Sequence, residues 1–147
     1  MASVSGGQRL EEALRATGAK IGKAREVRVG FLEGATYPDG TPVAMVAAIQ
    51  NFGAPEAGIP PRPFFSDMVD AKSPGWGDQF GKVLKAAEND SALALERMGE
   101  GIAGQLREAI VDTNSPPLSP TTIKRKGSDK PLIDTGHMLA SVDKEVT

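Results

Sequence analysis

The chain has 147 residues, of which 39% are hydrophobic and 24% are charged, proportions that are ordinary for one globular domain. Its 17 basic and 19 acidic residues give a formal net charge of -2, so no general attraction to nucleic acid or anionic lipid is expected. Cysteine is absent, which excludes disulfides and thiolate metal sites, and no apolar run reaches the roughly 18–20 residues that a bilayer-spanning helix needs. We therefore expect a single domain over residues 1–147, without a membrane partner and with residues 1–7 as a flexible lead.

Apolar spacing predicts a helix and then a strand near the start of the chain. Leu10, Leu14, Thr17 and Ile21 recur at helical intervals, which indicates an amphipathic helix of about three turns. Residues 26–32 then alternate apolar side chains with others, a pattern typical of a strand with one buried face.

A turn and a second helix follow the strand. The segment Tyr37–Gly40 combines a proline, which fixes φ, with a glycine, which accepts a positive φ. Thr41 is the predicted N-cap of the next helix, with Pro42 at its first position. That helix, residues 43–51, is apolar almost all the way round, so we expect neighbouring elements to cover it on several sides. Gly53 is predicted to end it.

The next segment is rich in proline, which keeps residues 58–65 out of a helix and leaves few amide donors for a sheet. We expect it to run extended at a sheet edge or as an irregular connection. Ser66 is predicted to cap a short helix through Val69, and residues 72–77 are predicted to form a loop. Asp78 is the predicted cap of the helix after that loop.

The longest predicted helix starts at Ser91 and covers about residues 91–111, with one apolar stripe. Gly99, Gly101 and Gly104 each weaken it by about 1 kcal/mol relative to alanine, a cost that is tolerable where a neighbour packs closely against them. The whole pattern predicts an α+β fold: a small, mainly antiparallel sheet packed with several helices, including this long one.

Two motifs resemble catalytic or cofactor signatures but lack the required context. The three glycines of the long helix read as G-x-G-x-x-G, yet a dinucleotide site needs a strand before this motif and an acidic residue about 20 positions later. Helical spacing continues on both sides, and residues 121–124 contain no acid. We interpret the glycines as a close helix-packing face and expect no cofactor.

The triplet Asp134-Thr135-Gly136 looks like the catalytic motif of aspartic proteases, which need a pair of carboxylates on a large, β-rich scaffold. The surrounding chain is helical or proline-rich. Asp134 or Thr135 is instead predicted to cap a short helix through Met138 and Ala140. The only histidine, His137, has no nucleophile motif beside it, so we expect neither a catalytic residue nor a metal ligand, and the chain is not predicted to be an enzyme.

Two further features leave alternatives open. Trp76, flanked by glycines, is either an interface anchor or a residue that pins a loop to the core. The cluster Lys124–Lys126 is either a solvated basic face or a patch directed at a partner or a channel. Contact of such a patch with phosphate would make binding steeply dependent on salt.

Four segments carry a resemblance to a known family: residues 43–53, 59–65, 117–127 and 130–142. In order and spacing this set resembles the tail-completion, or neck, family of long-tailed double-stranded-DNA bacteriophages, whose members are often labelled minor tail or virion morphogenesis proteins. The similarity runs, with gaps, from about Val27 to Val142. The chain departs from the family pattern in the Ser73–Gly77 loop and in its end at Thr147, which leaves little room for a long last strand.

The resemblance implies a small α+β protein that acts without catalysis, as a hexameric ring where the capsid connector meets the tail tube. Implied partners are further copies of the chain, a tail terminator or tail tube protein, and the connector or adaptor proteins of the head. The implied location is the virion, at the neck or the top of the tail, after assembly in the host cytoplasm. A tail terminator or another head–tail adaptor is an alternative, and a DNA-binding accessory protein is an alternative of a different class.

Subunits that associate head-to-tail in a ring need two different complementary patches. We predict one patch in the proline-stiffened segment, which loses little entropy on docking; its residues are Pro61, Arg62, Pro63, Phe64 and Phe65. We expect one of the two phenylalanines to point into the core and the other outward, and the sequence does not decide which. The second patch is predicted within residues 112–147, a proline-rich and basic docking segment; its residues are Pro117, Leu118, Ile123, Lys124, Arg125 and Lys126. We hypothesise that lysines of this second patch face the ring lumen and contact viral DNA.

Overall fold

The computed structural model describes residues 6–113, 117–118, 120–126 and 136–147. Within these ranges the chain forms six α-helices, one 3-10 turn and two strands, which confirms the α+β class. The elements are α1 (Gly7–Ile21), β1 (Val27–Phe31), α2 (Val43–Phe52), the 3-10 turn Pro55–Ala57, α3 (Phe64–Ala86), α4 (Ser91–Asp112), α5 (Pro120–Lys126), α6 (His137–Ala140) and β2 (Val142–Val146).

The sheet consists of β1 and β2, which pair antiparallel with Val27 opposite Val146 and Phe31 opposite Val142. A two-stranded ribbon is marginally stable by itself. Here α4 packs against both strands, and Gly99 of α4 lets them approach closely. A Cβ atom built at Gly99 would lie only 2.7 Å from Cγ2 of Val27 and 2.8 Å from Cδ of Lys144. The predicted close-packing role is therefore confirmed for Gly99, whereas the two other glycines of the motif meet nothing within 4 Å.

The core lies between the hairpin of α3 and α4 and the elements that pack on it. Leu106, Ile110 and Val43 have no exposed surface, and Phe64, Met68 and Met138 are also buried. The two hairpin helices have 23 and 22 residues, so each is about 33 Å long at 1.5 Å per residue. The long helix predicted for residues 91–111 is confirmed, although α3 is one residue longer.

The loop predicted at residues 72–77 is wrong, because α3 runs through it without interruption and contains Pro74. Proline removes one backbone donor from a helix and usually interrupts it. Tertiary contacts hold this helix together: Nε1 of Trp76 donates to Oε1 of Gln105 on α4 at 2.9 Å, and the Trp76 ring packs against the core. Asp78 accordingly lies inside the helix and does not cap it.

The start of α3 is capped from a distant part of the chain. Ser66 was the predicted cap, but the helix already begins at Phe64. The buried side chain of Asn51 on α2 accepts hydrogen bonds from the backbone N–H of Phe65 at 3.0 Å and of Ser66 at 3.1 Å. Its Nδ2 donates to Oγ of Ser66 at 2.8 Å. Asn51 thus satisfies two N–H groups that have no partner within the helix.

The predicted caps of the two shorter helices also need correction. Thr41 does not cap α2, because Pro42 occupies the N-cap position and pairs with Thr36 in an isolated β-bridge. The N-cap of α6 is Gly136, with a positive φ of 74°. The predicted alternatives, Asp134 and Thr135, lie outside the described residues.

Candidate interaction surfaces

The two proline-framed segments line one wide groove, which we call the proline groove. Ile59, Pro60 and Arg62 line it from one segment, and Leu118, Thr122 and Arg125 line it from the other. Val46 and Gln50 of α2 also contribute to its surface, and the enclosed volume is about 880 Å³. Of the residues predicted for the two patches, Arg62, Leu118 and Arg125 line this groove.

Arg62, which the sequence assigns to the first patch, is buried. Its side chain is 6% exposed, and Nη1 donates to Oε1 of Gln50 at 3.4 Å while its backbone N–H donates to the Gln50 carbonyl at 2.7 Å. Burial lowers the pKa of the Arg62 guanidinium, because desolvation disfavours the charged form. Arg62 therefore fixes the proline segment to α2 and shapes the groove.

The neighbouring aromatic residues are placed differently from each other. Phe64 is buried in the core at 4% exposure, so its prediction as an interface residue is wrong. Phe65 is half-buried, makes an edge contact with the Phe64 ring, and lies beneath Gly30 of β1. Pro61 and Pro63 are exposed.

The second segment presents its charges on a short helix. Lys124 and Arg125 of α5 are exposed, whereas Leu118 and Ile123 are half-buried and Pro117 is exposed. The side chain of Lys126 lies outside the described residues. Arg125 lines the groove, so the basic cluster borders the same surface as the proline segment.

His137 has a structural role beside this groove. Its Nε2 lies 2.7 Å from the Thr36 carbonyl, which can only accept, so this nitrogen donates its proton. Its ring lies 4.9 Å from the Tyr37 ring, measured between centroids. These contacts fix α6 against the turn before α2.

An apolar surface lies on α2, where the sequence predicted coverage on several sides. That prediction is wrong: only Val43, Ala47 and Asn51 of this helix are buried. Phe52 is 73% exposed and Met45 is 50% exposed. We call the exposed side the α2 face, defined by Ala44, Met45, Ala48 and Phe52. A cleft of about 230 Å³ lies between this face and the side chains of Phe31 and Phe65.

A second uncovered apolar surface lies on α1. This helix has no buried residue, and Leu10 and Leu14 are 62% and 63% exposed. Ile21, in the same stripe, is 47% exposed. We call these three residues the α1 stripe. The helical period that predicted α1 also marked this stripe, but sequence periodicity does not reveal whether the same chain covers it.

The loop between α3 and α4 attaches the C-terminal end of α1 to the body. Ser91 accepts a hydrogen bond from the Ala24 N–H at 3.0 Å, and Lys23 pairs with the Asp90 carboxylate at 2.5 Å. Asp90 also caps α4 by accepting from the Leu93 N–H at 3.1 Å. The pKa of Asp90 is held below its usual value. The largest cause is the hydrogen bond from Lys23, and the second is the hydrogen bond from the backbone N–H of Leu93.

Over the described ranges 6–113, 117–118, 120–126 and 136–147, no three His, Asp or Glu side chains are grouped as metal ligands. In the same part of the chain, no helix combines the length and apolar composition that crossing a membrane requires. Comparisons with protein-family models, with curated proteins and with solved structures found no match.

Proposed function

We propose that this chain is a structural protein of a bacteriophage virion, one subunit of an oligomeric ring at the head-to-tail interface that joins the tail tube to the capsid connector. The proposal extends the resemblance of four segments to tail-completion proteins. It makes docking on other proteins, rather than chemistry, the task of the chain.

The observation that carries the proposal is the proline groove. Two of the segments that carry the resemblance lie far apart in sequence and contribute to the same surface, the first through Ile59, Pro60 and Arg62 and the second through Leu118, Thr122 and Arg125. Prolines at a rim restrict the free chain, so that little conformational entropy is lost on docking. The groove also mixes apolar side chains such as Ile59 and Leu118 with polar ones such as Gln50. Such a mixture is typical of interfaces between proteins that also exist apart.

Loss of the chain during infection provides the first test. We expect DNA-filled heads and complete tails to accumulate separately, as seen by electron microscopy, and mass spectrometry to find the chain in purified wild-type particles. Normal infectious particles made without the chain, or its absence from purified virions, would refute the proposal. Tails of abnormal length would instead support the tail-terminator alternative.

A substitution in the proline groove tests whether this groove takes part in joining heads to tails. Leu118→Glu places a charge on the half-buried groove wall, and we expect it to reduce the fraction of heads joined to tails. The matched control is Val111→Glu, since Val111 is 38% exposed and does not line the groove. Equal effects of the two variants on joined particles would show that the groove has no particular role.

The exposed charges of Lys124 and Arg125 favour one addition to the proposed function, namely that the lumen of the ring contacts viral DNA. Binding of purified chain to duplex DNA should then weaken with salt, and each lost phosphate contact should reduce the slope of log K against log salt by about 0.9. We expect Lys124→Glu to impair DNA retention or exit while heads and tails still join, because Lys124 is exposed and does not line the groove. Unchanged infectivity of particles with this substitution would contradict this addition.

A further inference from the structure

We infer that the α1 stripe of one subunit docks on the α2 face of a second copy of the same chain, in a head-to-tail contact. The inference deepens the proposed function, on which it rests for the biological use of the contact, since it names the surfaces through which ring subunits would associate.

Exposed apolar side chains are concentrated on these two helices. Of the described residues, seven large hydrophobic ones are exposed, and five of the seven lie on α1 or α2: Leu10, Leu14, Ile21, Met45 and Phe52. Scattered exposed hydrophobics are normal on a monomer, whereas contiguous ones mark an interaction site. An isolated helix the length of α1 is marginal in water, because most helical stability in proteins comes from packing of an apolar face.

The α1 stripe cannot reach the α2 face of its own chain. The C-terminal end of α1 is attached beside Glu88 and Ser91, where Lys20 and Ala24 bind. The α2 face lies at the opposite end of α3, where Asn51 caps Ser66. About 30 Å of α3 separates Ser66 from Ala86, two residues before Glu88, while Leu10 lies only about 15 Å along the axis from Lys20. A second copy can bring the two surfaces together.

The two surfaces are similar in length, and the α2 face adjoins an apolar cleft. The α1 stripe from Leu10 to Ile21 is about 16 Å long, and the α2 face from Ala44 to Phe52 is about 12 Å long. Beside Phe52, the cleft toward Phe31 and Phe65 is lined by apolar side chains apart from Asn51. An amphipathic helix that lays its apolar side into a hydrophobic groove is a recurring mode of protein recognition.

Charge also favours this pairing over contact between two like surfaces. Residues 31–71, which include the α2 face, expose five carboxylates, and their one basic residue, Arg62, is buried. Residues 6–25, which include α1, expose five basic side chains against two acidic ones, and a net positive charge remains after Lys20 and Lys23 pair with Glu88 and Asp90 of the same chain. Opposite net charges steer the two ends toward each other, and like charges oppose pairing of α1 with α1 or of α2 with α2.

Because the two surfaces differ, the contact is heterologous. Each subunit keeps one free α1 stripe and one free α2 face after a single contact, so association continues until a ring closes. The prediction is therefore oligomers larger than a dimer, rather than a symmetric pair.

Light scattering coupled to gel filtration of the full chain tests the inference. We expect wild-type protein to form oligomers larger than a dimer, and both Leu14→Glu and Phe52→Glu to weaken association by at least about 30-fold, the factor for a hot-spot loss of about 2 kcal/mol. Both residues are mostly exposed, so folding should persist and is checked by circular dichroism. Val111→Glu is the control and should associate as the wild type does.

A mixture of the two variants gives the sharper test. The Phe52→Glu chain keeps its α1 stripe and the Leu14→Glu chain keeps its α2 face, so equal amounts should form one-to-one dimers and nothing larger. A mixture that stays monomeric overturns the inference, as does a wild-type chain that is monomeric at its highest soluble concentration. Wild-type association by Phe52→Glu, which would indicate pairing of α1 with α1, also overturns it.

The proposed function and this inference fail separately. A chain that associates through the two surfaces but is absent from virions contradicts only the proposed function. A chain found at the neck whose two variants both associate as the wild type does contradicts only the inference.

Discussion

Replacing the three glycines of α4 with alanine, one at a time, should give effects of opposite sign. Each replacement gains about 1 kcal/mol from helix propensity. At Gly101 and Gly104 the added Cβ meets nothing within 4 Å, so this gain should be realised in full. For a chain of this size, 1 kcal/mol corresponds to a rise in Tm of roughly 2–4 °C.

At Gly99 the same atom would lie 2.7 Å from Cγ2 of Val27 and 2.8 Å from Cδ of Lys144, well inside the normal carbon contact of about 3.5–4.0 Å. Lys144 has a flexible chain that can move, but Val27 is β-branched and has few rotamers, so β1 must shift. Overpacking costs about 1–3 kcal/mol, which offsets the propensity gain and leaves a net loss of up to about 2 kcal/mol.

Urea denaturation followed by circular dichroism measures the free energy of unfolding of the three variants. We expect Gly101→Ala and Gly104→Ala to unfold at higher urea than the wild type and Gly99→Ala at lower urea. If Gly99→Ala stabilises the chain as much as the other two, then the sheet does not pack on α4 at this position. That result would refute the placement of β1 and β2 against the helix.

Three further predictions concern stability. Asn51→Ala should lower the free energy of unfolding by about 1–2 kcal/mol, because it removes the cap of α3, and Asn51→Asp, which keeps an acceptor, should lose less in the same denaturation assay. Leu106→Ala should cost about 2–5 kcal/mol by leaving a cavity in the core, whereas Val111→Ala on the exposed side should stay within about 0.5 kcal/mol. Because the folded-state pKa of Asp90 is depressed, its carboxylate stabilises the fold above its unfolded pKa of about 3.9, and this contribution is lost as pH falls through the folded value. Asp90→Asn should therefore flatten the loss of stability below about pH 4, and an unchanged acid transition would show that this carboxylate is not responsible.

Local sequence signals predicted several elements because their causes are local. The spacing of Leu10, Leu14 and Ile21 predicted α1, and alternation predicted β1. The positive φ of Gly40 and Gly53 is found where a turn and a helix end were expected. Each of these rests on backbone preferences or on side chains within a few residues of one another.

Several residues of the candidate surfaces lie elsewhere than the sequence predicts, for a physical reason. Apolar character on α2 was visible in the sequence, but composition alone does not distinguish burial within a chain from exposure to a partner. The same limit applies to Phe64 and Arg62, which were assigned to an interface and are buried. Exposure of Phe52 depends on which elements pack against α2.

The sequence by itself determined α1, the first strand, α2 and α4, and that the proline segment before Phe64 is not helical, because propensity and proline geometry act over a few residues. Only the tertiary structure decided that α3 continues through Pro74, that Asn51 caps a helix more than ten residues away, and that β2 pairs with β1 across the whole length of the chain. It also decided that two apolar surfaces stay uncovered at opposite ends of the hairpin. These features depend on contacts between distant residues. The free energy of those contacts outweighs the local preference against a proline within a helix and the cost of leaving a phenylalanine exposed.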